Sequence, residues 1–268
     1  MQQVSDVYKR ILQGDHWFET SVVVGDSGRL VDNDGGLILF GGDAILVDTG
    51  GPESGFRDDK LFEGGVRTSH DLFKDGTPDV GSAVSGYADI SMVAPFNVSK
   101  KARVSIFIRA TNGAELSEWV PQGVYYIDTR EQTHTQLSFD VLNLHAYDAM
   151  LLAEITYPSD NQHDYPLLDK EIVQFIADNM KIDADGRGIQ VDPRTWDIMT
   201  AEYKFPLPVG YSMREVLCMI AAAYAGSFII SPTGELRLVS MFDLPPETRH
   251  LSTEDGYKIT IGGLYILV

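Results

Sequence analysis

The sequence predicts an α+β fold dominated by strands. A barrel- or sandwich-like β domain is expected over residues 1–158 and a smaller α+β domain, with two helices and a hairpin, over 159–240. Residues 241–268 read as returning strands or the start of a further domain. Three observations carry this prediction. Short alternating or β-branched runs separated by Gly, Asn and Asp fill the first part. Apolar residues recur at helical spacing after Tyr157–Pro158. A capping box at Ser212–Glu215 is then followed by two short strand-like runs across a Pro-Thr-Gly-Glu turn.

Taken in order, Val22–Val24 ends at Gly25–Asp26–Ser27–Gly28, a first turn signal. Leu37–Phe40 and Ala44–Val47 flank a second turn, Gly41–Gly42–Asp43. Tyr87–Val93 reads as a strand. In Arg103–Ala110, Val104, Ile106 and Ile108 point one way and Arg103, Ser105 and Arg109 the other. Asn112–Gly113 supplies residues that tolerate positive φ. Trp119–Arg130 alternates Val124, Tyr126 and Asp128 with Tyr125, Ile127 and Thr129. It pairs in a hairpin with Leu137–Leu144 across a polar tip, Glu131–Thr135. The apolar phase slips between Val141 and Leu142, which a bulge or burial on both faces would explain.

The polar stretch Ser159–Pro166 reads as a linker or crossover. Leu168, Ile172, Val173, Ile176 and Met180 then form one helical face, with Asp169 as N-cap. In the second helix Ser212 and Glu215 form the capping box, Tyr211 and Val216 a hydrophobic staple, and Gly226 the C-terminal stop. Ser227–Ser231 and Leu236–Ser240 complete a hairpin. The run Gly262–Val268 reads as a strand without a polar tail, so the expectation is a fragment continued by further domains or completed by a partner.

The balance of 39 acidic against 21 basic residues, a net charge of −18, opposes specific DNA binding, which needs cations to displace phosphate counterions. Excess carboxylate also keeps an abundant protein soluble. The single cysteine, Cys218, excludes an intrachain disulfide and, within the apolar run Val216–Ala223, reads as a buried small hydrophobe. No apolar run approaches the roughly 20 residues of a membrane span, and no signal peptide is visible. The expectation is synthesis in a cytoplasm without a membrane anchor.

The Trp-initiated hairpin followed by Tyr147–Asp148–Ala149–Met150–Leu151 resembles the N-terminal region of phage and prophage tail-tip hub proteins, the baseplate hub and tail-associated lysin family. Further segments fall in the family's order: Tyr8–Lys9, His16–Thr20, Gly81–Gly86 with the strand to Val93, Tyr211–Leu217, Gly234–Val239, Pro246–Thr248 and Ile259–Gly263. The stretch from about Asp32 to Glu63 does not match. The resemblance implies a tail-tube-like first domain and a structural virion role without turnover. It also implies a homotrimeric ring joining the tail tube and distal tail proteins to a spike or fibre. DNA would pass through the lumen without specific binding, helped by an acidic wall. No catalytic, metal or cofactor-binding residues are expected in this chain, and any peptidoglycan hydrolase would lie in C-terminal regions beyond it.

Two other functions remain open. Ala44–Gly51 carries Asp48–Thr49–Gly50, the tripeptide with which aspartic proteases present a carboxylate, so a dimer could act as a hydrolase through Asp48. The same run resembles the LVDTG strand of metallo-β-lactamase-like hydrolases, but Thr68–Asp71 lacks their zinc motif. The simpler reading is a strand end with a turn. A cell-surface carbohydrate-binding module is the other function, with Trp17, Trp119, Trp196 and Tyr211 as a platform or, more simply, as core. Asp183–Gly188 hints at a calcium loop, yet Arg187 and Arg194 stand where ligands should be, and it reads as a turn. Asp160, His163 and Asp164 read as solvated rather than as metal ligands, and His16, His70, His134, His145 and His250 lack ligand spacing.

Overall fold

The computed structural model describes residues 4–25, 39–40, 43–44, 51–57, 59–72, 80–93, 102–134, 140–159, 163–182, 186–240, 260–261 and 264–265. The first 158 residues contribute helix α1 (Asp6–Ile11) and strands β1 (Trp17–Val24), β2 (Leu39–Phe40), β3 (Asp43–Ala44), β4 (Leu61–Ser69), β5 (Ser82–Ala83), β6 (Tyr87–Val93), β7 (Arg103–Thr111), β8 (Val120–His134) and β9 (Asp140–Tyr147). Single 3-10 turns lie at Gly51–Ser54 and Ala149–Glu154. Then come β10 (Leu167–Leu168), α2 (Asp169–Asn179), α3 (Arg194–Ile198), β11 (Lys204–Phe205), α4 (Met213–Ala223), β12 (Gly226–Ile230) and β13 (Leu236–Ser240). Two further strands, β14 (Thr260–Ile261) and β15 (Leu264–Tyr265), pair with each other. The β-dominated α+β class holds.

The main sheet is antiparallel, ordered β1-β7-β8-β9-β6-β4, and curls into a half-barrel. Period-two alternation places Val22, Ala88, Ile90, Met92, Val104, Ile106, Tyr125, Ile127, Leu142, Leu144 and Ala146 in one core. Ile108 and Ala110, further along the same face of β7, pack instead with Tyr8 and Ile11 of α1. Ser5 caps α1, its hydroxyl accepting from the Tyr8 amide at 3.1 Å. Sequence patterning gave no sign of this short helix.

The stretch that dominates the sequence, β8, is buried on both faces. Tyr125 and Ile127 enter the first core. Val124 packs beneath the Gly234 turn, and Tyr126 packs against the second core. Gly123 is required beside them, because a Cβ there would lie 2.4 Å from the Tyr125 hydroxyl oxygen.

Two expectations for this hairpin are corrected. The polar tip begins later, since β8 runs to His134, which pairs with Asp140. The irregularity lies in β8, where Asp128 is bulged between the Ile127–Ala146 and Thr129–His145 pairs. From Leu142 onward β9 alternates regularly, and Val141 faces the opposite side.

The second core joins α2 and α4 to a three-stranded sheet, β13-β12-β5. The capping box forms as expected: the Ser212 hydroxyl accepts from the Glu215 amide at 3.2 Å, and Glu215 accepts from the Ser212 amide at 2.7 Å. Tyr211 is 48% exposed and contributes through its carbonyl, which accepts from the Tyr157 amide. The stop differs from expectation. Ala225 takes the left-handed conformation at φ 47°, and Gly226 already belongs to β12. Its missing Cβ makes room for the Val239 carbonyl, 2.5 Å from where a Cβ would stand.

Asp169 is the first helical residue of α2 and not its cap; Leu168 holds the cap position, and its amide donates to Glu171. Asp169 is fully buried and accepts from the amides of Lys170 and Tyr203 and from the Tyr224 hydroxyl. A third short helix, α3, is anchored by buried Thr195, whose hydroxyl accepts from the Leu238 amide.

Candidate functional site

The conspicuous construction is a polar junction where the half-barrel meets the second core. Its central group is Asp148, 3% exposed. Asp148 directly follows β9 and caps the 3-10 turn Ala149–Glu154, accepting from the Met150 amide at 2.9 Å. It also accepts from the Gly86 amide at 2.7 Å and the Ser85 hydroxyl at 2.8 Å. The Asp148 amide donates to the Gly86 carbonyl.

Burial pushes the Asp148 carboxyl up to about 6, against the downward pull of Gly86, Ser85, Met150 and the nearby His70. The His70 Nε2 lies 2.6 Å from the Tyr125 hydroxyl and 3.1 Å from the Gln122 carbonyl. Desolvation, with the Asp148 charge adding to it, raises the Tyr125 phenol.

From Gly86 the chain leads back to the second core. Ala83 is buried there, the Ser82 hydroxyl donates to Ser227, and the Gly81 amide donates to the Gly226 carbonyl. β5 pairs parallel with β12. Gly81 has φ +86°, and a Cβ would come within 2.7 Å of the Ala222 Cβ on α4. On the other side of the 3-10 turn, Thr156 bridges to Ser212, and Arg214 of α4 pairs with Glu154. Four segments distant in sequence thus meet: Gly81–Gly86, Tyr147–Leu151, Tyr211–Leu217 and Gly226–Ser227.

A second cluster stiffens the sheet edge. Arg109, 9% exposed, forks between Glu19 and Glu53, and its guanidinium lies 4.3 Å from the Trp119 ring centroid. The Trp119 indole donates to Glu53 at 2.8 Å, and Arg57 pairs with the same carboxylate. Glu53 is held below its ordinary range, chiefly by the Trp119 hydrogen bond.

The four aromatics weighed as a platform or as core take different roles. Trp119 stacks on Arg109, Trp196 packs against the second core, Trp17 is exposed beside Gly113, and Tyr211 ends the α4 approach. Asp48, Asp160, His250 and the Asp183–Asp185 turn lie outside the described residues. His163 rests edge-on against Phe175, and His145 bonds to Asp89. Among the described residues no group of three or more His, Cys, Asp or Glu is placed to hold a metal. No helix among them is long and apolar enough to cross a membrane. Cys218 packs partly buried against the second core, and desolvation raises its thiol. No sequence motif assigns Asp148 or His70 to this junction; an Asp ahead of Ala-Met at a strand end is the available capping signal.

No family model matches the chain, and no curated protein matches it. Among solved structures it is similar to the 43 kDa tail protein of prophage MuSo2 from Shewanella oneidensis, at 14% identity and a TM-score of 0.47, covering 84% of this chain and 56% of that one. It is also similar to a tail protein from Neisseria meningitidis MC58, at 14% identity and a TM-score of 0.43, covering 86% of this chain and 53% of that one. The chain thus spans a little over half the length of each.

Proposed function

We propose that this chain is a structural subunit of a phage or prophage tail, and within the tail a baseplate hub subunit that joins the tube to a host-facing spike or fibre. The observation that carries the reading is spatial. The segments Gly81–Gly86, Tyr147–Leu151 and Tyr211–Leu217, which resemble the hub family in sequence order, meet at one junction: Ser85, Gly86 and Met150 bind Asp148, while Ser212 and Arg214 reach the adjoining Thr156 and Glu154. Segments that share a family likeness and also pack together at one junction support the reading of one architecture.

The chemistry accords with a mechanical role. The buried Asp148 spends its lone pairs on the chain's own donors, and Arg109 is committed to two carboxylates and an indole. In this reading the half-barrel of β1, β4 and β6–β9 meets its neighbours in a homotrimeric ring, and the net charge of −18 keeps passing DNA from adhering. The protein would reside in the virion tail without turnover of its own.

Light scattering across a wide concentration range tests the proposal. A species at three times the 29.6-kDa subunit mass is the expected result. A stable dimer would overturn the ring and turn attention to Asp48 as a shared protease carboxylate.

A further inference from the structure

The face of the sheet turned away from the first core carries a groove that the tail reading does not use. It is built by an arch in β4. Leu61 pairs with Met92 and Val66 with Ile90, so Phe62, Glu63, Gly64 and Gly65 together stand opposite Ser91 alone. Both glycines serve the arch: Gly64 has φ +65°, and a Cβ on Gly65 would lie 2.7 Å from the Ser91 carbonyl oxygen. The resulting cavity holds about 480 Å³, bounded by the arch and by Arg67, Asp89, Ser91, Val141 and Asn143. That is within the range of small-molecule sites.

The groups facing this groove are matched to one another and only partly spent. Arg67 stands in register with Asp89, and Asp89 with His145. Asp89 accepts from His145 through Oδ1, leaving Oδ2 as an acceptor. Asn143 accepts from the Ser91 hydroxyl at 2.7 Å through Oδ1, which fixes the amide and leaves its two N–H donors for the groove. The Arg67 guanidinium makes no ion pair or hydrogen bond among the described residues. Phe62, 37% exposed, and Val141 supply apolar surface at the rim.

We propose that this groove binds a neutral saccharide unit. Adjacent sugar hydroxyls each donate and accept. A carboxylate oxygen beside fixed amide and guanidinium donors, carried on neighbouring strands, answers that pattern. The C–H face of a pyranose is apolar and fits against Phe62 and Val141. Glu63 and Asp89 outweigh the single cation Arg67, so the groove has no cationic excess to favour phosphate or sulfate. The residues belong to the strand-rich first part, but none is among the four aromatics singled out from sequence, and the inference stands apart from the tail reading.

A neutral-glycan array probed with the intact chain tests this, followed by NMR titration of the best-retained disaccharide. Retention of a neutral glycan is expected, with saturable amide shifts confined to Gly64, Gly65, Asp89, Ser91 and Asn143. Arg67→Ala and Asn143→Ala should each weaken binding by about tenfold or more, as loss of a charge-assisted or fixed hydrogen bond requires. Lys9→Ala on α1 should leave it unchanged. No retention of any neutral glycan, shifts elsewhere on the molecule, or binding of inorganic phosphate through Arg67 in place of sugar would each overturn the proposal. Arg67 is exposed and Asn143 half-buried on the solvent side of the sheet, and unchanged thermal midpoints of both variants would confine the readout to binding.

Discussion

The Gly86 amide donates to the Asp148 carboxylate at 2.7 Å across 62 positions of the chain. This one contact ties the segment entering β6 to the end of β9, and the Ser85 hydroxyl and Met150 amide complete the carboxylate's shell. Asp148→Ala would strand three donors in a site closed to water. Each buried donor left unpaired costs about 1–3 kcal/mol, so a loss of about 3 kcal/mol or more is expected. The chemical-denaturation midpoint should fall accordingly with an unchanged slope. A loss within about 0.5 kcal/mol would mean that the junction carries no stability.

Asp148 also imposes a pH dependence of unusual sign. Its folded pKa, about 6, stands above the ordinary aspartate value of 3.8, so the folded state binds the extra proton between those limits. Stability contributed through this group is therefore highest below about pH 4 and declines as pH rises toward 6, by about 3 kcal/mol in all. Asp192 works in the opposite sense. The Arg194 hydrogen bond holds it low, so its contribution is lost as pH falls below the ordinary carboxylate range. From these two groups stability between pH 3 and pH 8 should be highest at or below about pH 4, and Asp148→Asn should flatten the falling limb above it. Persistence of that limb in Asp148→Asn would assign it to other groups.

The α4–β12 turn offers a paired test. Gly226→Ala would drive a Cβ to within 2.5 Å of the Val239 carbonyl, and backbone cannot yield as a side-chain tip can. A cost of about 2 kcal/mol or more is expected. One residue earlier, Ala225→Gly should stabilise by up to about 1 kcal/mol, because Ala225 pays for a left-handed φ of 47° that glycine adopts freely. Thermal midpoints of the two variants should move in opposite directions. The same direction for both would contradict this account of the helix stop.

That turn also shows what the sequence made legible. The capping box at Ser212 was readable because both partners lie within four residues and obey a local rule. The β8–β9 hairpin was readable because alternation is local too. The stop was misassigned because glycine is enriched for two reasons, and here close approach of β13, a non-local fact, decided its place. Asp169 illustrates the same limit: helix spacing located α2, but burial under Tyr203 and Tyr224 depends on residues 34 and 55 positions away. The arch at Phe62–Gly65 was signalled only by a Gly pair inside a strand, a pattern that announces a bulge without saying which groups will line it.

The edge cluster gives the last test. Arg109 is 9% exposed, and its planar fork reaches Glu19 and Glu53 while its face stacks on Trp119. Arg109→Lys keeps the charge but supplies a point donor without a stacking face, so the substitution separates charge from geometry. If geometry dominates, Arg109→Lys should destabilise by about 1–3 kcal/mol, approaching Arg109→Met. A cycle with Trp119→Leu should show coupling of about 1 kcal/mol, within the range for a partly desolvated cation over an indole. Full retention of stability in Arg109→Lys would instead make the cluster a simple charge balance. Glu53 would then be held by attraction to any cation, and the stacked indole would contribute only its buried area.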